Sequence, residues 1–162
     1  MRNIQHCSSF TFLVVACVLM TNTGVAQDVN SDAEDSNMFK NAIYGNLGIG
    51  GLWITATGYY ERMLPRDAAK TNLSTFIKVG YGGVAYWEDQ SGYIQAQFGI
   101  LTGINKHHFE ASAGYVKALD EFDLFPIAAT IGYRIQKPKG HFVFRTGVGW
   151  PEAIYFGVGV SF

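Results

Sequence analysis

Ile154-Tyr155-Phe156-Gly157-Val158-Gly159-Val160-Ser161-Phe162 decides how the chain is read. Every second residue, Ile154, Phe156, Val158, Val160 and Phe162, is large and apolar, and between them stand Tyr155, Gly157, Gly159 and Ser161. A strict period of two puts successive side chains on opposite faces, so the stretch reads as a β-strand with one apolar and one small or polar face. Its length fits the roughly 9–11 residues that a tilted strand needs to cross a bilayer. A last strand of a soluble sheet can share this pattern, so the rest of the chain must decide.

Moving back from the end, the same device recurs seven times. Segment 141–150 sets Phe142, Phe144, Thr146, Val148 and Trp150 against His141, Val143, Arg145, Gly147 and Gly149. Segment 125–135 sets Ile127, Ala129, Ile131, Tyr133 and Ile135 against Ala128, Thr130, Gly132 and Arg134. Segments 108–117, 93–103, 75–87, 52–64 and 41–49 alternate in the same way. Turn signals separate them: Gly50-Gly51, a polar stretch 65–72, Glu88 to Gly92, Asn105-Lys106-His107, the acidic 118–124, Lys137-Pro138-Lys139-Gly140 and Pro151-Glu152-Ala153. The expectation is an all-β fold of eight antiparallel strands in up-and-down order over 41–162. Nearly every charge falls in a turn, at a strand end or on the small-residue face, which a soluble sandwich would not require.

Composition agrees. The 162 residues carry 19 glycines, 15% aromatic and only 15% charged residues, with a formal net charge of −1. That size suits one domain, and the balance gives no basic field for nucleic acid. No apolar run outside the N-terminus reaches the ~20 residues of a spanning helix. Residues 1–26 read as a signal peptide: Arg2 is its positive start, Phe10 to Met20 its apolar centre, and Gly24-Val25-Ala26 its cleavage site. Val14-Val15-Ala16-Cys17 offers a competing lipidation site at Cys17, but Val18-Leu19-Met20 extends the apolar run past that cysteine. Cleavage after Ala26 would remove both cysteines, Cys7 and Cys17, and with them disulfides and thiolate chemistry. Residues 27–40 are acidic and aperiodic and read as a flexible lead-in.

The apolar faces end in aromatics at both ends of the segments. Tyr60, Phe109, Tyr133, Phe142 and Phe162 cluster at one end, and Trp87, Tyr115, Phe125 and Trp150 at the other. Two aromatic girdles mark the two interfaces of a membrane barrel. With these girdles, the terminal Phe162 and the stretches Tyr59-Tyr60-Glu61-Arg62 and Lys78-Val79-Gly80-Tyr81-Gly82-Gly83, the chain resembles small eight-stranded outer-membrane β-barrel proteins, of the OmpA/OmpX-like type and of the kind common in Bacteroidetes-type bacteria. The resemblance implies a transmembrane barrel in the outer membrane, with both chain ends in the periplasm. It implies outer-membrane lipid and lipopolysaccharide as surroundings, and a monomer. It also implies that Phe162, Val160, Val158 and Phe156 are read by the barrel-assembly machinery. No peptidoglycan-binding domain is expected after the last strand. A soluble ligand-binding barrel of lipocalin type would turn the same apolar faces inward, and alternation alone does not say which face is out.

Five charges fall on the inner face of this expected barrel: Glu61, Lys78, Glu110, Arg134 and Arg145. An unpaired buried charge is costly, so they should pair into one network. Glu61 with Lys78, and Glu110 with Arg134, stand on neighbouring segments. Three cations face two acids, so one cation needs another acceptor, such as Tyr59, Tyr155, Gln97 or a carbonyl. The network would plug the lumen; a narrow gated ion path is the alternative. A lipid A-modifying barrel enzyme would need a nucleophile and a base near the outer leaflet. His107, His108 and His141 map instead to periplasmic turns, and Ser91 stands in an outer loop without a base. No catalytic residue, metal or cofactor is expected; His107, His108 and Glu110 make only a weak metal set. The expected role is structural, in envelope integrity or surface contact.

Overall fold

The segments that alternate strictly are the segments that pair. The computed structural model describes residues 39–65, 73–87, 89–104, 106–121, 123–137 and 139–162. The expected signal peptide at 1–26, the alternative at Cys17, most of the expected lead-in 27–40 and most of the 65–72 connection lie outside the described residues. Eight strands follow in order: β1 Asn41–Ile49, β2 Ile54–Met63, β3 Leu73–Ala85, β4 Gln90–Ile104, β5 His107–Ala118, β6 Ile127–Gln136, β7 Phe142–Trp150 and β8 Ala153–Ser161. Every neighbour is antiparallel, and β8 pairs with β1, so the sheet is a closed up-and-down barrel with no free edge.

The seam is made by the two chain ends. Asn41 donates its backbone N–H to the Phe162 carbonyl (3.0 Å), and Phe162 donates back to Asn41 (2.9 Å). From there the register runs Ile43 against Val160 to Ile49 against Ile154.

Strand ends differ from expectation by a few residues. Leu52 and Trp53 fall outside β2, because Gly51 at φ 79° and a Leu52-to-Gly50 bond keep the chain turning. Trp87 lies beyond β3 for a similar reason, since Tyr86 and Asp89 close a four-residue hairpin (2.8 Å). The tight turn expected at Asn105-Lys106-His107 is shorter, with both histidines already in β5. Ser91 belongs to β4, not to a loop, and is buried. Phe125, placed at the start of a strand, stays in the connection before β6.

Which face points outward is now decided. Mid-strand apolar residues are among the most exposed: Ile131 at 68%, Leu47 at 67% and Val158 at 56%. Their alternating neighbours Thr130, Asn46 and Gly157 are buried. The barrel is therefore apolar outside and polar inside, the reverse of a lipocalin-type barrel. Inside, toward the end away from the chain termini, Val84, Tyr93, Val116 and Ala128 make a small apolar cluster, with Trp53, Tyr86, Leu124 and Trp150 packed on it.

Candidate functional site: a charged barrel interior

Eight strands enclose a lumen narrow enough for side chains to meet across it. Inward positions of β2, β3, β5, β6 and β7 hold Glu61, Lys78, Glu110, Arg134 and Arg145, each exposed by 3% or less. Long arginines reach past their neighbouring strands. Arg134 on β6 donates to Glu61 on β2 at 2.6 Å. Arg145 on β7 grips Glu110 on β5 with a fork, its Nε reaching Oε1 and Oε2 (2.9 and 3.1 Å) and its Nη2 also meeting Oε1. The second contacts are longer, Arg134 to Glu110 at 4.0 Å and Arg145 to Glu61 at 3.9 Å. The four groups thus form a ring in which cations and acids alternate, although Arg134 and Arg145 are direct cross-strand partners.

This arrangement differs from pairing by strand neighbourhood. Glu61 stands opposite Lys78 in register, yet its ion-pair contacts are with Arg134 and Arg145. The guanidinium forks match carboxylate geometry better than an ammonium does. Tyrosines complete the acids: Tyr44 donates to Glu61 and Tyr155 to Glu110, both at 3.0 Å. The Arg145 guanidinium also lies 4.1 Å from the centre of the Tyr44 ring.

Lys78 takes another route. Its ammonium donates to Thr130 Oγ1 (3.2 Å) and lies over the Tyr59 ring at 5.2 Å. Thr130 is bonded to Ser112, Ser112 donates to Gln97, Gln97 to Gln95, and Gln95 to the Tyr59 hydroxyl, with every spacing between 2.5 and 2.7 Å. Tyr59 donates onward to Glu152 (3.1 Å), which also accepts from Asn46 (3.2 Å). One hydrogen-bonded chain therefore joins Lys78 to Glu152.

Glu152 is the acid that sequence reasoning missed. It stands in the turn before the last strand, yet it is fully buried. The turn between β7 and β8 folds into the barrel mouth. Trp53 donates its indole N–H to the Pro151 carbonyl (3.0 Å), and Ala153 takes φ 56°, an uncommon conformation for a residue with a Cβ. With Glu152 counted, the buried charged side chains among the described residues are three acids, Glu61, Glu110 and Glu152, and three cations, Lys78, Arg134 and Arg145. The sequence signal that could have found it is the unmatched third cation, for which Tyr59, Tyr155, Gln97 or a carbonyl are the acceptors expected above.

Gly48 makes room for this turn. A Cβ there would strike the backbone oxygen of Glu152 and the hydroxyl of Thr55. Gly48→Ala should therefore push the turn outward and destabilise the barrel by about 1–3 kcal/mol. The change should also appear in tryptophan fluorescence, since Trp53 and Trp150 pack 5.8 Å apart beside the turn.

The remaining sequence candidates do not converge. His107 points outward against Tyr133, while His108, one residue on, is buried inside with Glu110. Alternation thus separates His107 from Glu110, and no group of three metal-binding side chains occurs among the described residues. His141, just before β7, is exposed and meets the Ser161 carbonyl (2.8 Å). Phe156, Val158, Val160 and Phe162 all face outward along the seam strand. Comparison of the chain with protein-family models, with curated proteins and with solved structures gave no match in any of the three.

Proposed function

We infer that the chain is an integral outer-membrane β-barrel whose lumen is plugged by its own polar side chains. The observation that carries this reading is the inverted distribution of polarity: apolar side chains dominate the outside of the strands, while the strand charges sit within except Arg62 and Lys117 near strand ends. In water such a surface would drive aggregation; in hydrocarbon it is the stable choice. Closure supports the same reading, because lipid cannot satisfy the hydrogen bonds of an open sheet edge. The aromatics Tyr60, Phe109, Phe142 and Phe162 at one end and Trp87, Tyr115 and Phe125 at the other are exposed, as interfacial girdles require.

The proposed role is structural or adhesive rather than catalytic, in a monomer surrounded by outer-membrane lipid and lipopolysaccharide. The balanced ring of Glu61, Glu110, Arg134 and Arg145 supports a plug over a conducting path. The likeness to OmpA/OmpX-type and Bacteroidetes-type barrels rests on the sequence features alone. Expression in a Gram-negative host tests the location. The mature protein should fractionate with outer membranes and migrate faster in detergent gels before heating than after. Recovery in the soluble periplasmic fraction would overturn the reading.

Assembly gives a second handle. Deleting Phe162 should slow insertion several-fold. It removes the terminal aromatic proposed to be read by the barrel-assembly machinery, and it also removes both backbone bonds to Asn41 at the seam. An unchanged yield and folding rate would count against that role.

A further inference from the structure

The two rims of the barrel carry opposite charge. The rim that holds the chain ends presents Lys40 before β1, Arg62 near the end of β2, Lys106 between β4 and β5, and Lys137 and Lys139 between β6 and β7. All five are exposed. Among the described residues this rim shows no exposed Asp or Glu, because its acids, Glu61 and Glu110, are turned into the lumen. Among the described residues the opposite rim presents Asp89, Asp120, Glu121 and Asp123, all exposed, against the single exposed cation Lys117. Among the described residues the exposed side-chain charges are therefore separated along the barrel axis.

The cations occupy a particular level. Arg62 follows Tyr60 by two residues on the outer face of β2, and Lys106 and Lys137 lie just past the strands that carry Phe109 and Tyr133. Phe142 and Phe162 complete this aromatic girdle. Aromatic rings settle at the boundary between hydrocarbon and headgroups. Lysine and arginine stems lie along apolar surface and lift their charge into the next layer. In a bilayer that layer holds the lipid phosphates.

We propose that Lys40, Arg62, Lys106, Lys137 and Lys139 form a collar that binds anionic phospholipid headgroups in the leaflet around the chain ends, and so helps fix which way round the barrel sits. The proposal rests on the membrane-barrel reading. The partner is a lipid of net negative charge. A zwitterionic headgroup presents its own cation beside the phosphate, and the carboxylates of the other rim would be repelled from the same surface. Attraction of this kind is worth roughly fivefold in partition per cation near a charged bilayer, and it is lost when salt shortens the Debye length to about 3 Å near 1 M.

The full chain, diluted from urea onto vesicles of phosphatidylcholine alone or with 30 mol% phosphatidylglycerol, tests this. Partition is read by co-flotation, and insertion is scored separately by heat-modifiable migration. Wild type should partition at least tenfold more strongly to the anionic vesicles at low salt, and 1 M NaCl should abolish the difference. Lys137→Gln with Lys139→Gln should lower the anionic preference roughly 25-fold at most and by several-fold at least, while insertion into neutral vesicles stays unchanged. Asp120→Asn with Glu121→Gln on the other rim should not reduce the preference. Equal partition of wild type to both vesicles, or an undiminished preference in the lysine variant, overturns the collar while leaving the barrel reading standing. Insertion into neither vesicle overturns both.

Discussion

Glu110→Gln should lower the unfolding free energy by about 3–5 kcal/mol, the usual cost of removing one partner of a buried ion pair. The substitution keeps shape and removes charge. It leaves Arg145, with no exposed surface, without the carboxylate that its Nε and Nη2 now grip. Arg134 loses its longer contact to the same group, and Tyr155 must donate to a neutral amide instead. The interior would carry one unmatched positive charge in a medium that screens it poorly. Glu121→Gln is the control: Glu121 is exposed on a turn, where a single charge contributes little, about 0–1 kcal/mol. Urea melts of both variants in detergent or vesicles measure the difference. Planar-bilayer recordings complete the test, since loosening the ring should raise conductance. Equal stability of the two variants, or a steady current through the wild-type protein, would defeat the plug.

Glu152→Leu should cost about 3 kcal/mol and open the mouth of the barrel. Two buried donors, the Tyr59 hydroxyl and the Asn46 amide, lose their acceptor, and each orphaned donor costs about 1–3 kcal/mol. The apolar leucine recovers part of this by packing. The hydrogen-bonded chain from Lys78 loses its terminal acid, and the turn loses the anchor that holds it inward against Trp53. The interior again becomes net positive, so any current that appears should favour anions. Glu152→Gln, which keeps one acceptor oxygen for one of the two donors, should cost about half as much. If Glu152→Leu melts with the wild type and stays closed, the turn is held by its backbone and tryptophan contacts alone.

Much of this molecule was legible in one dimension because its rules are local. A period of two needs no knowledge of the partner strand, so Thr55, Thr57 and Tyr59 could be set on one face and Ala56 and Tyr60 on the other. The eight segments and the placing of Glu61, Lys78, Glu110, Arg134 and Arg145 together on the small-residue face followed from that period, and the short turns gave the antiparallel order. Strand ends were less legible. Leu52, Trp87 and Phe125 continue the apolar pattern, but backbone turns stop pairing before the pattern stops.

Tertiary structure alone decided what depended on the closed circumference. Alternation defines two faces but is symmetric between them; only the closed barrel put Leu47 and Ile131 outside and Asn46 and Thr130 within. Ion-pair partners were likewise beyond local reading. In a lumen this narrow, a guanidinium reaches the far wall as readily as the next strand, so Arg134 meets Glu61 rather than settling its charge on β5 alone. Glu152 is the sharpest case. A glutamate after a proline in a turn carries every mark of a solvated residue, and only the inward fold of that turn, over the space left by Gly48, makes it the third acid of a balanced interior.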